Sequence, residues 1–523
     1  MSQDIKDIQK HVSAQDTASS AETTAVPETS DTAAARDTKD KKGKLLRKNL
    51  IYSISYQVLV IILPLITAPY AHRVLGVDNI GIHSYTQSIA HIFQAFALLG
   101  MKNYGTRIIA RIRDDKEQLK RTFWSVYTVQ LAVSLFVVLI YIGYVLVLVR
   151  ENKLIAIIQT LYVMIAVADI SWFFFGIEKF KITVLRNFCI KLATTVCIFI
   201  FVRVQTDLWK YTLIILAGSL LGQLSVWPYV KRHLGFARPT MKECLVHLKP
   251  LLILFIPAIA VNVYKYMDKV MIGLLSSKYE TGLYESAEKI VRIPNSIIMA
   301  VATVLLSRSS NIMAGDESSQ MTKFIRTSML ANVWAGSAMS FGIFAIAPMF
   351  TVIFFGAEFA GTAPVLELLG FTVIAISIAN VVRTQYLLPR GMDKFYTLSV
   401  IVGAVLNVIM NWLFIPHFGA VGAVFGTLSA EYGVMLIQCI YARKDLKYWQ
   451  YFLDSFPFLL IGGAMAVLGR FILARMKSSV PSVIIIIAVC GVFYMVLSGA
   501  YLLFFKKDLV LPLLKAKKKK KNS

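Results

Sequence analysis

Apolar runs about twenty residues long recur along almost the whole chain, and they decide its fold class. Residues 56–71 read "YQVLVIILPLITAPYA", and residues 480–505 read "VPSVIIIIAVCGVFYMVLSGAYLLFF". A helix needs roughly 20 apolar residues to cross the hydrocarbon core of a bilayer. Hydrophobic residues make up 57% of the chain and charged residues 16%, whereas a soluble domain is about half apolar and about a quarter charged. We therefore predict an all-α, polytopic membrane protein.

The runs predict about fourteen transmembrane helices. Those near 80–101 and 285–307 are the least apolar of the set. The predicted spans lie near 50–70, 80–101, 123–149, 154–176, 182–202, 209–230, 250–275, 285–307, 328–354, 363–388, 397–415, 420–441, 452–474 and 481–505.

Basic residues gather in alternate connections between these spans. The connections 102–121 and 231–249 are strongly basic, whereas 276–284 and 355–362 hold one lysine and none. Short cytoplasmic loops of membrane proteins are rich in Lys and Arg. The net charge of +25 therefore reflects topology rather than nucleic-acid binding. We expect a multi-pass membrane protein with both termini cytoplasmic, although the basic connection 470–480 falls on the other side.

A faint internal repeat suggests how the spans are grouped. The segments "NIGIHSYTQSI" (79–89) and "ETGLYESAEKI" (280–290) align without a gap, and each follows the first long span of a six-span set. Internal repeats are common in secondary transporters. We expect two six-helix lobes and an added helix pair. The predicted divisions are a disordered cytoplasmic tail (1–43), lobes at 44–235 and 236–445, the pair at 446–508 and a basic cytoplasmic tail at 509–523.

No sequence pattern indicates a cofactor or a bound metal. The five cysteines are scattered, mostly within apolar runs, and form neither a CxxC pair nor a Cys/His cluster, so they resemble small buried hydrophobic residues. A Walker A motif is absent from the sequence, which argues against direct use of ATP by this chain. We therefore predict no cofactor.

Charged residues inside two predicted spans form stripes. Lys265, Asp268 and Lys269 share one helical face, because positions i, i+3 and i+4 are neighbours on a helix. A charge at mid-bilayer costs about 2.5–3.5 kcal/mol on insertion scales, so these groups must face a wet cavity, pair with each other or lie near an interface. The next span repeats the pattern with a stripe of Glu285, Glu288, Lys289 and Arg292.

The first half of the chain carries a motif series that resembles a known family. The elements are Pro69-Tyr70, "RVLG" at 73–76, Gly81 to Tyr85, and "LG" at 99–100 followed by "YGTR" at 104–107. Their order resembles the opening of bacterial polysaccharide flippases of the Wzx type. These belong to the multidrug/oligosaccharidyl-lipid/polysaccharide (MOP) exporter superfamily. The likeness extends over about residues 44–505, with "YMDKVMIGLLSSKYETGLYESAEKI" and "FIPHFGAVGAVFGTLSAEYGV" fitting the second half.

The resemblance implies both an architecture and a cargo. It implies two lobes around a central cavity, and a sugar chain carried on undecaprenyl pyrophosphate as the substrate. Such a headgroup cannot cross hydrocarbon unaided, because burying unpaired charge and hydroxyls is costly. We expect cations to neutralise the phosphates, tyrosines to contact sugars, and Asp268 and Glu288 to belong to the same stripes. The predicted cavity residues are Arg73, Lys265, Asp268, Lys269, Glu288, Lys289, Arg292, Tyr70, Tyr85, Tyr264 and Tyr284.

Pairing within the stripes is the competing interpretation, since intramembrane charges also pair with one another. A second group of residues is a candidate for binding a driving ion or proton, although each member equally suits a hydrogen bond to a neighbouring helix. This group consists of Asp169, Glu367, Glu431, His83 and His91.

We predict a transporter and not an enzyme, namely a flippase for a lipid-linked oligosaccharide used in exopolysaccharide or capsule synthesis. The expected partners are the cargo, membrane lipids, and the polymerase and chain-length machinery. A lipid II flippase remains an alternative. A multidrug/cation antiporter would need an acidic cavity, which the basic stripes disfavour. A membrane glycan polymerase is disfavoured because the connections are too short for a catalytic domain.

Overall fold

The computed structural model describes residues 31–314 and 318–506. The chain divides into two units, residues 1–55 and 56–523, and every side-chain contact below belongs to the second. Of the tail predicted at 1–43, residues 1–30 lie outside the described residues, and a helix begins at Asp31. The predicted basic tail at 509–523 also lies outside them. Disorder of the first tail therefore stays a prediction.

The first half of the described chain is entirely helical apart from its connections. The first helix bends at Gly76, whose φ of 78° is not helical, and predicted spans 1 and 2 are its two arms. The helices are α1 (Asp31–Leu98), α2 (Met101–Ile112), α3 (Lys116–Val147), α4 (Lys153–Ala168), α5 (Ser171–Gly176), α6 (Phe180–Phe201), α7 (Leu208–Leu224) and α8 (Trp227–His233), with a 3-10 turn at Gln205–Asp207.

The second half repeats this organisation. A second bend falls at Gly419, with a φ of 55°, inside the helix that contains predicted spans 11 and 12. The helices are α9 (Met241–Leu275), α10 (Lys278–Ala314), α11 (Ser318–Phe355), α12 (Thr362–Leu369), α13 (Thr372–Val382), α14 (Asp393–Ala442), α15 (Tyr448–Leu473) and α16 (Val480–Phe505). A 3-10 turn spans Ala357–Phe359, and a π-helical turn spans Arg383–Leu387.

The helices pack as two lobes with an added pair, as predicted. In the first lobe α3 packs on α4, α4 on α7, and α6 on α7. In the second lobe α11 packs on α13, α13 on α14, and α9 on α14, while the added helices α15 and α16 pack on α11 and on each other. Helix α9 also contacts α2 and α3 and so joins the lobes.

The all-α, polytopic prediction is confirmed. No strand occurs in residues 31–314 and 318–506, and nine helices of this part of the chain are long and apolar enough to cross a membrane. Each of the about fourteen predicted spans coincides with a helix or with part of a bent or broken one. Many large apolar side chains on the outer helices are exposed, for example Phe136 on α3 and Val467 on α15, as expected for surfaces that face lipid.

The lobes meet at the end of the helices opposite to the basic connections 102–121 and 231–249. There the ring of His72 lies 4.5 Å from the ring of Phe355 and 5.1 Å from that of Phe359. The Arg73 guanidinium donates to the carbonyl of Ile353. The largest buried apolar cluster, which draws on α1, α9, α10, α11 and α14, surrounds this junction. We call this the sealed end and the opposite one the basic end.

Candidate functional site

Two neighbouring helices, α9 and α10, bury an ion-pair network. The ammonium of Lys269 lies 2.9 Å from an oxygen of Glu285 and 3.1 Å from one of Glu288. Lys269 is 4% exposed. Ser84 of α1 also donates to Glu285, at 3.0 Å. Burying charges requires such pairing, because desolvation otherwise costs several kcal/mol for each ion. Lys269 therefore holds the two carboxylates together at the junction of α1, α9 and α10.

The outer members of the network open onto a cavity. Lys289 lies 3.6 Å from Glu285, and an Nη atom of Arg292 lies 2.8 Å from Glu288. Both cations also line a cavity of about 320 Å³ between α1, α6, α10 and α11. Lys191 of α6 lines the same cavity. We call this space, with Lys191, Lys289 and Arg292 on its wall, the cationic cavity; no carboxylate lies in its described lining.

Positive charge in this region exceeds the negative charge of the network's carboxylates. The network contains three cations and two carboxylates. Lys191 forms no ion pair or hydrogen bond through its ammonium in the described part of the chain, and it adds to the positive charge. A cavity wall with surplus cations suits an anionic ligand and repels a cationic one. The structure therefore brings the predicted residues Lys289 and Arg292 to the wall of one cavity, and their contact with a ligand stays a prediction.

Lys265 differs from Lys269, although the two lie one helical turn apart. Its side chain is exposed and makes no ion pair with any residue that the structure describes. Its ammonium interacts electrostatically with Arg292, Glu288 and Lys102. An unpaired exposed cation costs little to remove from the fold, so Lys265 is available to a ligand.

Asp268 occupies a separate, oxygen-rich pocket in the second lobe. Its carboxylate accepts hydrogen bonds from Tyr284 at 2.7 Å, Asn411 at 2.6 Å and Thr427 at 2.9 Å. All three donors are neutral, and no described cation pairs with this carboxylate. The side-chain oxygen Oδ1 of Asn411 and the nitrogen Nδ2 of Asn407 are buried without a hydrogen-bond partner. A buried carboxylate among neutral oxygens can bind a proton or a small cation.

The three acids predicted for ion coupling each have a local partner. Asp169 lies in the break between α4 and α5, where its side chain accepts from the amide of Ser171 at 2.9 Å. Glu367 of α12 pairs with Arg470 of α15. Glu431 accepts from the hydroxyl of Tyr264 at 2.7 Å. Their role in coupling stays a prediction, and the structure also supplies the competing interpretation for each of them.

The two predicted histidines lie on the second arm of α1 and face other helices. His83 hydrogen-bonds Thr212 of α7 at 3.0 Å. His91 hydrogen-bonds the Tyr162 hydroxyl at 2.8 Å, and its ring stacks on Tyr266 of the second lobe at 4.0 Å. His91 therefore bridges the two lobes beside the ion-pair network.

The predicted aromatic residues and Arg73 are spread over several sites. Tyr70 donates to the carbonyl of Val202 at 2.6 Å and packs at the sealed end with Arg73. Tyr85 lies under the ammonium of Lys278, which is 3.4 Å from its ring centre. Tyr264 and Tyr284 bond the carboxylates of Glu431 and Asp268. The structure thus brings Lys269, Glu288, Lys289 and Arg292 together but not these tyrosines.

The sequence interpretation missed two parts of the site. Lys191 was detectable as one of two cations, with Arg186, within the apolar span predicted at 182–202. Asn407 and Asn411 stand four residues apart in another predicted span, so their shared helical face was visible. That this face meets Asp268 required the packing of α9 against α14.

Comparison with known proteins identifies the family. A family model described as polysaccharide biosynthesis protein matches residues 46–313, just over half of the 523 residues. The chain belongs to this family. Among relatives, it is 24% identical over 401 residues to a putative O-antigen transporter from Shigella dysenteriae, covering 75% of this chain and 98% of the relative. A putative O-antigen transporter from Escherichia coli (strain K12) is also 24% identical, with 76% and 97% covered.

Solved structures show the fold. The lipid II flippase MurJ, in an inward closed conformation, superposes with a TM-score of 0.70 at 15% identity and covers 88% of this chain and 100% of its own. An inward-facing multidrug resistance MATE family transporter of the MOP superfamily gives a TM-score of 0.55 at 13% identity, with 73% and 97% covered. These likenesses show a MOP-type fold for this member of the polysaccharide biosynthesis family. The family model and the O-antigen transporter relatives confirm the prediction of a Wzx-type transporter rather than an enzyme.

Proposed function

We propose that this chain moves an undecaprenyl-pyrophosphate-linked oligosaccharide from the cytoplasmic to the outer leaflet of a bacterial membrane. One observation carries the proposal, namely the cationic cavity, whose described wall holds three cations and no carboxylate. A diphosphate headgroup needs such a wall, because charge-assisted hydrogen bonds replace the water that it loses. The lipid tail can stay in the bilayer while the headgroup crosses.

The two ends of the molecule support a mechanism of alternating access. The lobes are in contact at the sealed end through His72, Phe355 and Phe359. Basic connections mark the other end as cytoplasmic, which also makes both termini cytoplasmic. The described state therefore closes the outer side, and transport requires the aromatic contacts there to separate. The bends at Gly76 and Gly419 are suitable positions for the hinge.

We further propose that an ion or proton at Asp268 drives the cycle. Tyr284 links the site to α10, since its hydroxyl bonds Asp268 while the same helix carries Glu285. Occupancy of the oxygen-rich pocket would change how α9 and α10 pack, and hence the position of the cationic cavity. The predicted acids Asp169, Glu367 and Glu431 already have partners that explain their presence.

The alternatives are separated by the chemistry of the cavity. An exporter of cationic drugs needs carboxylates facing the ligand, and the described wall of the cationic cavity presents cations. A lipid II flippase would use the same diphosphate recognition. The likeness to that flippase shows the fold alone, while the O-antigen transporter relatives favour an oligosaccharide without a peptide. Polymerase and chain-length proteins of capsule or exopolysaccharide synthesis are the proposed partners.

Transbilayer movement in proteoliposomes tests the function. Fluorescent undecaprenyl-pyrophosphate oligosaccharide is placed in the vesicles, and a membrane-impermeant quencher reports its arrival in the outer leaflet. We expect movement that depends on the protein and leaves the glycan unchanged. Lipid II in parallel vesicles should move more slowly. A lengthened glycan without movement would identify an enzyme and refute the proposal.

A variant pair ties the activity to the cavity. Lys191→Gln removes a cation that has no partner in the described chain, so it leaves no buried carboxylate uncompensated. We expect it to slow movement about tenfold, the loss of one charge-assisted contact to a phosphate. Lys394→Gln removes an exposed lysine outside the cavity and should leave the rate unchanged. Equal rates for the two variants would argue against the cavity as the headgroup site.

A further inference from the structure

The motif with "LG" at 99–100 and "YGTR" at 104–107 lies outside the cationic cavity, and its glycines allow α2 to pack closely on α9 and on α5. Gly100 has a φ of 72°, and a Cβ atom there would lie 3.1 Å from the backbone carbonyl carbon of Leu254 in α9. A Cβ on Gly105 would lie 2.6 Å from the indole of Trp172. Both glycines therefore serve close packing: Gly100 brings the start of α2 onto α9, and Gly105 brings α2 onto Trp172 of α5.

A buried hydrogen-bond chain fixes the rotation of α2. The Tyr104 hydroxyl lies 2.6 Å from Nδ1 of His247 in α9, and the other ring nitrogen of His247 lies 2.8 Å from the Ser125 hydroxyl in α3. The motif tyrosine is thus tied to two neighbouring helices. Arg107 and Arg111 follow at an i,i+4 spacing, so they project from the same face of α2.

These contacts create a second cationic pocket at the basic end. Its volume is about 530 Å³, and its lining includes Arg107, Arg111 and Lys249 together with the apolar side chains of Ile253 and Leu254. The lining of this pocket contains no carboxylate. None of its three cations forms an ion pair with a described residue. Ile253 is 60% exposed, so an apolar wall faces the lipid directly beside the charges.

Basic residues at this end are expected from topology alone, but topology does not explain a pocket. The topology rule requires only that the basic residues lie on one side of the membrane. It does not require them to line one cavity beside an apolar wall. Like charges held together without counter-ions repel one another, and an anion relieves that repulsion. The combination of phosphate-binding cations with a lipid-facing wall matches a phosphorylated lipid.

We propose that this second pocket binds the diphosphate headgroup of the lipid-linked cargo at the cytoplasmic surface, before it enters the cationic cavity. The proposal rests on the function proposed above. A diphosphate carries more negative charge than the single phosphodiester of an ordinary phospholipid, and three converging cations favour the more highly charged group. The motif residues Tyr104 and Arg107 thereby acquire a role in loading.

Helix α9 connects the two sites. It carries Lys249 in the second pocket and Lys265 beside the cavity, and 16 residues of helix span about 24 Å. Lys102 of α2 and Arg292 of α10 both interact electrostatically with Lys265. Helix α9 therefore carries one cation in the second pocket and another that interacts with Arg292, a cation on the wall of the cationic cavity.

A pair of double variants with equal charge tests the pocket in the full chain. Arg111→Gln/Lys249→Gln removes two cations of the pocket. Lys116→Gln/Lys242→Gln removes two exposed cations from the same end of the molecule. Binding of geranylgeranyl diphosphate is measured in nanodiscs of neutral lipid, and the rate of cargo movement is measured against cargo concentration in proteoliposomes.

We expect the pocket variant to bind geranylgeranyl diphosphate about tenfold more weakly or worse, because two charge-assisted contacts are lost. Its half-saturating cargo concentration should rise by the same factor, with the maximal rate kept. The matched variant should stay within about twofold of the native protein. Equal weakening of both variants, or no weakening of the pocket variant, would overturn the proposal.

Two further arms separate the possible failures. Dioleoyl phosphatidylglycerol is added as a competitor, and displacement of the diphosphate at equal concentration would make this a phospholipid site, which overturns the assignment to cargo. If the native protein moves no cargo, the proposed function fails. The loading proposal fails by itself if cargo moves but its half-saturating concentration is the same in the pocket variant and the native protein.

Discussion

Lys269 and Lys265 lie one helical turn apart on α9, and we predict that replacing Lys269 lowers stability whereas replacing Lys265 does not. Lys269→Met removes the ammonium that contacts Glu285 at 2.9 Å and Glu288 at 3.1 Å. Removing one partner of a buried ion pair costs about 3–5 kcal/mol. Each carboxylate keeps one other cation: Lys289 remains 3.6 Å from Glu285, and Arg292 remains 2.8 Å from Glu288. We therefore expect a loss near the lower limit, about 3 kcal/mol.

Thermal unfolding followed by tryptophan fluorescence in detergent micelles measures the difference. A change of 1 kcal/mol shifts the midpoint by about 2 °C in chains of about 250 residues and by less in longer ones. Lys269→Met should therefore lower the midpoint by about 3–5 °C. Lys265→Met, which replaces an exposed and unpaired side chain, should change stability by less than about 0.5 kcal/mol while slowing cargo movement.

A double variant isolates the ion pair itself. Lys269→Met combined with Glu285→Gln removes both a cation and a carboxylate, so part of the lost stability should return, with a coupling energy of about 1–3 kcal/mol. If Lys269→Met is as stable as Lys265→Met, the network does not hold α9 and α10 together. The stripe would then act on the ligand alone, and pairing, which the sequence pattern left open, would contribute nothing to stability.

Two further predictions concern the pocket of Asp268 and a connection at the basic end. Gly426→Ala would place a Cβ atom 2.0 Å from Oδ1 of Asn411; we expect it to abolish any rise in the unfolding midpoint on adding the driving cation. The second prediction concerns Asp445, in the connection after α14. Tyr386 and Arg390 donate hydrogen bonds to its carboxylate, and these bonds hold the pKa of the carboxyl below the ordinary 3.8. These bonds contribute fully to stability when the pH is above the ordinary pKa of the carboxyl. Their contribution disappears as the pH falls through the lowered pKa of the folded protein. Asp445→Asn should therefore flatten the dependence of stability on pH below about pH 4.

Each of these predictions has its own control. Gly463 of α15 has open space around its Cβ position, so Gly463→Ala should keep the cation response and gain up to about 1 kcal/mol from helix propensity. A normal cation response in Gly426→Ala would disconnect Asn411 from ion binding. For Asp445, the measurement is the unfolding midpoint from pH 7 to pH 3, and parallel profiles of the native protein and the variant would contradict the reasoning.

The fold class was predictable because membrane insertion imposes a pattern that survives in one sequence. A bilayer requires roughly 20 apolar residues for each helix, and the chain shows such runs at regular intervals. The stripes on α9 and α10 were equally visible, since residues four apart share a helical face whatever the helix packs against. The pairing of Glu285 with Lys289 therefore appears both in the pattern and in the structure.

Which partner each charge meets was not predictable, because that depends on helices far apart in the sequence. Lys265 and Lys269 look alike on a helical wheel, yet one is exposed and the other buried between two carboxylates. Lys191 comes from a helix nearly a hundred residues away from Lys289 to line the same cavity. Asp268, which reads as part of a basic stripe, turns to Asn411 and Thr427 of α14.

The sequence alone thus determined the membrane class, the spans, the family likeness and the presence of charge inside the bilayer. Hydrophobic length and helical periodicity are local properties, and so they can be read without coordinates. The tertiary structure decided which charges neutralise each other, which face the cationic cavity, and how the glycines of the "LG" and "YGTR" segments pack α2 on α9 and on α5. Those outcomes depend on distances of a few ångströms between helices, because ion pairing and steric exclusion both change sharply over such separations.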